Sequence, residues 1–332
     1  MTGTTVDDTD SEQAVLARRF LHVNLNVRNA ERAVQFYEAA LGLQVSQRTD
    51  SSPFDGEQLG FTGYVTNDCV FMYDWRGPRS GASLELLQWN DPETAGEVYD
   101  DPTSPGIHSL VYAVRSAAQA AEALRAAGGT VIAHAQGCFA APAPAPTVIG
   151  QDRDGALVEL IEQPADGVEA ATLIGMRISC ADLDASLQFY TAIGFRLLEA
   201  PTTGSYDRTT ITPADRGPQA RIARVALPED EPSLVLVLVE LPTAAPRGPG
   251  YLVANHVGLF RMALRVEGLD AARAIVTGKG MAMRGPYEVE LPGTRFDPLR
   301  IGFMTDPNGV VVEFVERSAS LFRPPRLPRA TS

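Results

Sequence analysis

The chain has 332 residues, enough for about two domains of ordinary size, each with its own hydrophobic core. Its formal net charge of −13 argues against nucleic acid as a partner, because phosphate binding needs patches of Lys and Arg. The acidic N-terminus has no signal or transit features, and no apolar run is long enough to span a bilayer. The three cysteines are widely spaced, so a cytoplasmic protein without disulfides or membrane partners is expected.

The first quarter of the chain predicts a strand, a helix and further strands. Apolar residues alternate from Leu21 to Val27, which is the period of a half-buried strand. Asn29 then has the side chain of a helix N-cap, and Gly42 marks the end of the helix. Further strands are expected at residues 59–66, 68–74 and 82–89.

The second quarter repeats this order, and the two halves of the chain repeat each other. A strand is expected at 107–114 and a helix at 116–126, followed by strands near 130–134, 146–152 and 156–162. Residues 23–43 recur at 176–195, and residues 152–162 recur at 306–316. The sequence therefore indicates a tandem duplication, with four units of similar build.

Two histidines and two glutamates occupy matching strand positions in the first two quarters. His22 and His108 lie on opening strands, whereas Glu85 and Glu159 interrupt the apolar closing strands, where a carboxylate is costly to bury alone. Alternation places Asn24 on the same face as His22. Two imidazoles and two carboxylates suit a divalent ion such as Zn, Ni, Co, Mn or Fe. These four residues are therefore predicted to form one metal site with room for a substrate.

A fourfold strand–helix–strand repeat with these His and Glu positions resembles the vicinal-oxygen-chelate superfamily, which includes glyoxalase I, extradiol dioxygenases and bleomycin-binding proteins. The resemblance is closest to glyoxalase I-like proteins, whose metal ligands correspond to His22, Glu85, His108 and Glu159. It implies an α+β fold in which four βαβββ modules form two tandem vicinal-oxygen-chelate domains, each with a cup-shaped mixed sheet. The expected segments are a disordered tail (1–15), a metal-binding domain (16–164), a linker (165–172), a second domain (173–318) and a tail (319–332).

The resemblance also implies a metal-dependent lyase or isomerase that chelates vicinal oxygens of a small substrate and stabilises an enediolate-type intermediate. Glu159 or Glu85 would leave the metal and act as general base. One alternative is an Fe(II) or Mn(II) extradiol-type dioxygenase that uses His22, His108 and Glu159. Another alternative is a metal-free drug-binding or resistance protein. A homodimer is compatible with the family.

The second half of the chain lacks the predicted ligand set and is expected to be metal-free. Its four equivalent positions hold Gly175, Val237, Phe260 and Glu313. Pairing of the first module with the second would bring all four predicted ligands together, and this arrangement is favoured. Pairing of the first module with the fourth would instead split the ligands between two sheets. The equivalent of Asn24 is Arg177, for which we expect an ion pair or a contact with an anion.

Overall fold

The computed structural model describes residues 16–49, 51–136, 145–163, 165–166, 170–207, 210–212, 219–231, 233–241, 253–289, 298–324 and 329–330. The predicted tail at 1–15 lies outside these ranges. Within them, Cys69 and Cys180 are free thiols. No helix in the described part of the chain combines the length and the apolar character that a membrane crossing requires.

The chain folds into four modules, each with an opening strand, a helix and antiparallel strands. The first module contains β1 (Arg19–Asn26), α1 (Ala30–Leu41), β2 (Gln44–Thr49), β3 (Phe54–Asp55), a 3-10 helix (Gly56–Leu59), β4 (Tyr64–Tyr73) and β5 (Ser83–Asp91). The second contains β6 (Gly106–Val114), α2 (Ala117–Ala126), β7 (Thr130–Gln136), β8 (Pro146–Gln151) and β9 (Leu157–Glu162). A short strand, β10 (Ala165–Asp166), follows.

The third and fourth modules repeat this order. The third contains β11 (Thr172–Cys180), α3 (Leu183–Ala192), β12 (Arg196–Leu197), β13 (Thr202–Asp207), β14 (Thr210–Thr212), β15 (Gln219–Ala226) and β16 (Val235–Glu240). The fourth contains β17 (Gly258–Val266), α4 (Leu269–Gly278), β18 (Arg284–Val289), β19 (Leu299–Thr305) and β20 (Val311–Glu316). A 3-10 helix (Ala319–Leu321) and β21 (Arg329–Ala330) follow, and β21 pairs with β10.

The first helix shows why these elements form where they do. The Asn29 side chain accepts a hydrogen bond from the backbone N–H of Arg32 at 2.8 Å, which satisfies one of the free donors at the helix start. Gly42 ends the helix with a φ of 69°, a left-handed conformation that favours glycine. Phe36 and Tyr37 lie on the buried face. The predicted cap and end of this helix are therefore confirmed.

The strands after this helix differ from the prediction. No strand covers residues 59–63, because a 3-10 helix precedes Gly60 and Gly63, and both of these glycines have a positive φ. Residues 64–66 instead begin β4, which continues through most of the predicted strand at 68–74. The structure instead has β2, whose residues alternate between exposed and partly buried positions. The sequence pattern missed this strand because an edge strand with polar side chains lacks the apolar alternation that marks a buried strand.

Each sheet combines modules from the two halves of the chain. Within the described residues, the central order of the first sheet is β19-β20-β17-β1-β5-β4, so that the first module pairs with the fourth. The central order of the second sheet is β15-β16-β11-β6-β9-β8, so that the second module pairs with the third. The favoured pairing of the first module with the second was therefore wrong. Opening strands pair antiparallel in both sheets, β1 with β17 and β6 with β11.

Polar contacts between modules hold this arrangement. The Asn26 side chain donates hydrogen bonds to the carbonyl oxygens of Ala254 and His256, at 2.8 and 2.7 Å, and so fixes the first module against the start of the fourth. The helix-covered faces of all four modules share one buried apolar core. The concave face of each sheet turns away from that core and carries the polar residues of the candidate site. The architecture confirms the predicted α+β fold with two curved mixed sheets.

Candidate functional site

Four consecutive central strands of the first sheet each place one ionisable side chain on its concave face, called here the first cup. These residues are Glu313 on β20, Arg261 on β17, His22 on β1 and Glu85 on β5. All four side chains are largely buried, since the most exposed of them, His22, has a side-chain exposure of 13%. Aromatic and aliphatic residues surround the group, and Phe71 meets the His22 ring edge-on. The first cup is thus a charged cluster within an apolar wall.

Arg261 is the centre of this cluster. Its Nη2 lies 3.1 Å from both carboxylate oxygens of Glu85, and its Nε lies 3.2 Å from Oε2 of Glu313. His22 Nε2 lies 3.4 Å from Oε2 of Glu85 and 3.8 Å from Oε2 of Glu313. The guanidinium therefore bridges the two carboxylates, and the imidazole lies against the same pair.

The charges in the first cup stabilise one another. Burial acts to lower the pKa of Arg261, but the Glu85 and Glu313 carboxylates outweigh it and raise the pKa above its ordinary value. Burial acts to raise the pKa of Glu313, but Arg261 and His22 bring it below its ordinary value. Burial and the Glu85 carboxylate raise the pKa of the neighbouring Cys69 thiol well above its usual range. Arg261 and Glu313 are therefore both charged near neutral pH.

Several polar atoms in the first cup have no hydrogen-bond partner among the described residues. They are Nε2 of His22 and both side-chain polar atoms of the fully buried Asn24. Nε of Arg261 and Oε2 of Glu313 face each other as an ion pair at 3.2 Å, without the geometry of a hydrogen bond. Native proteins satisfy nearly all buried polar groups, so this cluster of unsatisfied groups makes the first cup the candidate functional site. Asn24 lies beside both Glu85 and Arg261 in the strand registers, as its predicted position next to His22 requires.

A β-bulge explains why Arg261 faces the cup. Asn24 pairs with Arg261 and Leu25 pairs with Leu259, so Phe260 is the extra residue of β17. In a regular strand, Phe260 and Arg261 would point to opposite faces. The bulge re-aims one side chain, a common device next to active sites.

The concave face of the second sheet, called the second cup, holds a smaller and more complete cluster. Glu159 Oε1 accepts a hydrogen bond from Ser109 Oγ at 2.6 Å and lies 2.9 Å from Nη2 of Arg177. Arg177 thus forms the ion pair that was one of its two expected roles. His108 is buried nearby, and burial together with the Arg177 charge lowers its pKa well below the ordinary value. Val237 stands where the first cup has Glu85.

The four predicted metal ligands do not meet in one site. His22 and Glu85 lie in the first sheet, whereas His108 and Glu159 lie in the second. Their predicted convergence is therefore wrong, because it depended on the pairing of the first module with the second. The assigned bases are also engaged elsewhere, since Glu85 pairs with Arg261 and Glu159 pairs with Arg177.

The residues of the first cup do not fit the divalent ion that the resemblance implies. Of the four ligand positions, Phe260 has no donor atom, and the carboxylates of Glu85 and Glu313 both contact Arg261. Among the described residues, no three His, Cys, Asp or Glu side chains are grouped in a way that would hold an ion. The cation that lies between these two carboxylates is instead a side chain of the protein, Arg261.

Sequence reasoning missed Arg261, although it left a signal. An arginine in the apolar strand from Gly258 to Val266 carries a charge that is costly to bury alone, so a carboxylate partner was to be expected. If Phe260 faces the cup, regular alternation turns Arg261 to the opposite face, and the bulge that brings it back cannot be recognised from a single sequence. Glu313 was recognised as the equivalent of Glu159, but its role depended on module pairing.

Comparisons with known proteins agree with the fold. The profile of the Glyoxalase/Bleomycin resistance protein/Dioxygenase superfamily matches residues 19–160 and 172–314. Glyoxalase I from Zea mays has a similar structure, with a TM-score of 0.63 at 18% identity over 90% of this chain and 92% of that one. At this identity the likeness shows the fold alone.

Relatives by sequence are named as lyases. Lactoylglutathione lyase of Escherichia coli O157:H7 is 30% identical over 151 residues, which cover 45% of this chain and 96% of that protein. A protein of Brassica oleracea var. gemmifera, provisionally named lactoylglutathione lyase, is 28% identical over 54% of this chain and 56% of its own length. The chain thus spans about half the length of this plant relative. Because the profile matches most of both halves, the chain belongs to the Glyoxalase/Bleomycin resistance protein/Dioxygenase superfamily.

Proposed function

We propose that the chain is a small-molecule enzyme of the glyoxalase-like lyase or isomerase type, with its reaction centre in the first cup. The observation that carries this proposal is the His22 imidazole, whose Nε2 makes no hydrogen bond and lies against two buried carboxylates. Such an imidazole is positioned to accept a proton, because the carboxylates stabilise the imidazolium that forms. The names of the lyase relatives agree with this chemistry.

In the proposed reaction, neutral His22 removes a proton from the carbon next to a carbonyl group of the substrate. The electron pair of the broken C–H bond moves to the carbonyl oxygen and gives an enediolate-type intermediate. The imidazolium then returns the proton to the former carbonyl carbon, while the proton of the adjacent substrate hydroxyl passes to the former carbonyl oxygen. A new carbonyl group forms at the neighbouring carbon, so the isomerisation needs no oxidant or reductant. The fixed positive charge of Arg261 favours the negative oxygen of the intermediate, as preorganised charges do in enzyme sites.

The dioxygenase alternative has no comparable support. It requires His22, His108 and Glu159 on one iron or manganese ion, but the first of these lies in one sheet and the other two in the second sheet. The binding-protein alternative differs from the proposal in one observable, because a binding protein would take up ligand without exchanging its carbon-bound protons.

Proton exchange in D2O, followed by NMR, tests the proposal directly. The substrates are a hemithioacetal of glutathione and simple hydroxy-carbonyl compounds, and the variants are His22→Gln and the matched His108→Gln in the second cup. We expect exchange and turnover to fall about 100-fold or more in His22→Gln, which is the usual contribution of a general base. The His108→Gln variant is expected to keep wild-type rates.

Two outcomes would contradict the proposal. Equal losses in the two variants would remove the reaction centre from the first cup. Binding of these compounds without proton exchange or turnover would instead favour a binding protein on this fold.

A further inference from the structure

The geometry points to Arg261 as the resident cation of the first cup, held between Glu85 and Glu313, where His22 and these two carboxylates would otherwise be free to hold a divalent ion. The centre is therefore independent of metal. The inference that catalysis occurs there without metal rests on the proposed function. The assignment of Arg261 as the cation does not rest on the proposed function, because its test measures metal binding and not turnover.

Both carboxylates of the first cup already contact Arg261. A metal ligand must offer a free lone pair to the ion, and both oxygens of Glu85 face Nη2 of Arg261 at 3.1 Å. Oε2 of Glu313, the oxygen closest to His22, is 3.2 Å from Nε of the same guanidinium. An ion at this point would have to displace Arg261 from both partners.

The balance of charges in the first cup also disfavours a divalent ion. Two carboxylates face one guanidinium, and arginine keeps its charge at any physiological pH. Protonation of His22 alone would neutralise the cluster. A divalent ion would instead leave an excess of positive charge beside a buried guanidinium, and repulsion in such surroundings is only weakly screened.

The second cup offers an internal comparison. Arg177 pairs there with Glu159, but Val237 replaces the second carboxylate and Gly175 replaces His22. Loss of Arg177 would therefore leave too few donors for an ion. Loss of Arg261 would leave one imidazole and two carboxylates, a set that binds first-row transition metals. A latent metal site that a guanidinium closes is thus expected in the first cup alone.

The test compares the intact protein with the variants Arg261→Gln, Arg261→Lys and Arg177→Gln. Each is dialysed with Zn²⁺ or Ni²⁺, and bound metal is measured by elemental analysis and titration calorimetry, with circular dichroism to verify folding. Arg261→Gln is expected to gain about one ion per chain, since it frees three donors. No bound metal ion is expected in the intact protein or in Arg177→Gln. None is expected in Arg261→Lys either, because lysine keeps the positive charge. The double variant Arg261→Gln/His22→Ala is expected to lose the gain.

Two results would overturn the inference. One is an intact protein that binds about one ion per chain and loses it in His22→Gln, as the usual donor set requires. The other is a folded Arg261→Gln variant that gains no ion. If Arg261→Gln folds only when Zn²⁺ is present, the inference stands, because the ion then supplies the charge that the guanidinium supplied.

Discussion

Nη2 of Arg261 lies 3.1 Å from both carboxylate oxygens of Glu85, although the two residues are 176 positions apart in the chain. Glu85 belongs to the first module and Arg261 to the fourth, so neither half of the chain holds this site alone. The ion pair is also buried on both sides, with side-chain exposures of 11% and 5%. The same contact therefore joins the first module to the fourth and balances the charge of one of the two carboxylates in the first cup.

Replacement of Glu85 by Gln should lower the free energy of unfolding by about 3 kcal/mol, because a buried guanidinium loses one of its two charged partners. Urea unfolding at neutral pH measures the change. The matched control is Glu31→Gln, since Glu31 pairs with Arg48 on the surface and its side chain is 66% exposed. That variant should cost less than about 1 kcal/mol. An equal loss of unfolding free energy in the two variants would mean that burial of the Glu85–Arg261 pair does not affect stability.

The buried carboxyl of Asp230 should make stability fall as the pH rises from 3.8 to about 7. Burial raises its pKa from 3.8 to about 7, although it accepts a hydrogen bond from the backbone N–H of Phe20 at 2.6 Å. The folded state then holds a proton that the unfolded chain has released, so the stabilisation is complete below pH 3.8 and is lost as the pH approaches 7. The full difference is on the order of 4 kcal/mol.

Asp230→Asn tests this dependence, because the amide keeps an oxygen for Phe20 but cannot ionise. The variant should lose the fall in stability between pH 4 and pH 7 that the intact protein shows in urea unfolding, a window of about three units. Asp184→Asn is the control, since the Asp184 side chain is 74% exposed. Parallel pH profiles for the intact protein and Asp230→Asn would contradict the prediction.

The two halves should also share an energetic symmetry. The hydroxyl of Tyr37 donates a hydrogen bond to Asp152, and the hydroxyl of Tyr190 donates one to Asp306, both at 2.9 Å. Tyr37→Phe and Tyr190→Phe should each cost about 1.5–3 kcal/mol at pH 8, because the acceptor is a charged carboxylate. Their effects should add within about 0.5 kcal/mol in the double variant, since each tyrosine bonds a different aspartate and the two bonds share no partner. A clear departure from additivity in thermal or urea unfolding would show that the halves are coupled through these bonds.

The local sequence pattern was sufficient to predict the four modules and to predict which side chains share a face of each strand. The alternation around His22 placed it with Asn24 on the concave side, and the offset between halves identified Glu313 as the equivalent of Glu159. Helix α1 was predicted from its cap to its final glycine. Each of these features depends on residues close together in the sequence, and side-chain periodicity reports such features directly.

Module pairing lay beyond local pattern. Opening strands pair antiparallel whether the first module meets the second or the fourth, so both arrangements satisfy the same alternation. Contacts between distant residues decide between them, such as the Asn26 side chain on the Ala254 and His256 carbonyls. The error in pairing then carried over to the site, because it combined His22 with His108 and left out Arg261. The presence of all four ligand types in the first half of the sequence was therefore weak evidence that they meet in one site.

His108 should remain neutral well below the pH at which an ordinary histidine titrates. Burial is the main cause of its lowered pKa, and the positive charge of Arg177 is the second. Arg177→Gln should therefore raise the pKa of His108 while leaving it below the usual 6.5, because burial persists. Titration of the imidazole C–H signals by NMR, assigned with His108→Asn, measures both values.

The same lowered pKa has a consequence for stability. The unfolded chain takes up a proton near pH 6.5 that folded His108 refuses, so this residue makes the protein less stable as the pH falls below that value. His108→Asn should remove that part of the acid sensitivity. A wild-type His108 that titrates near 6.5 would show that the second cup admits water to the imidazole, contrary to its buried position.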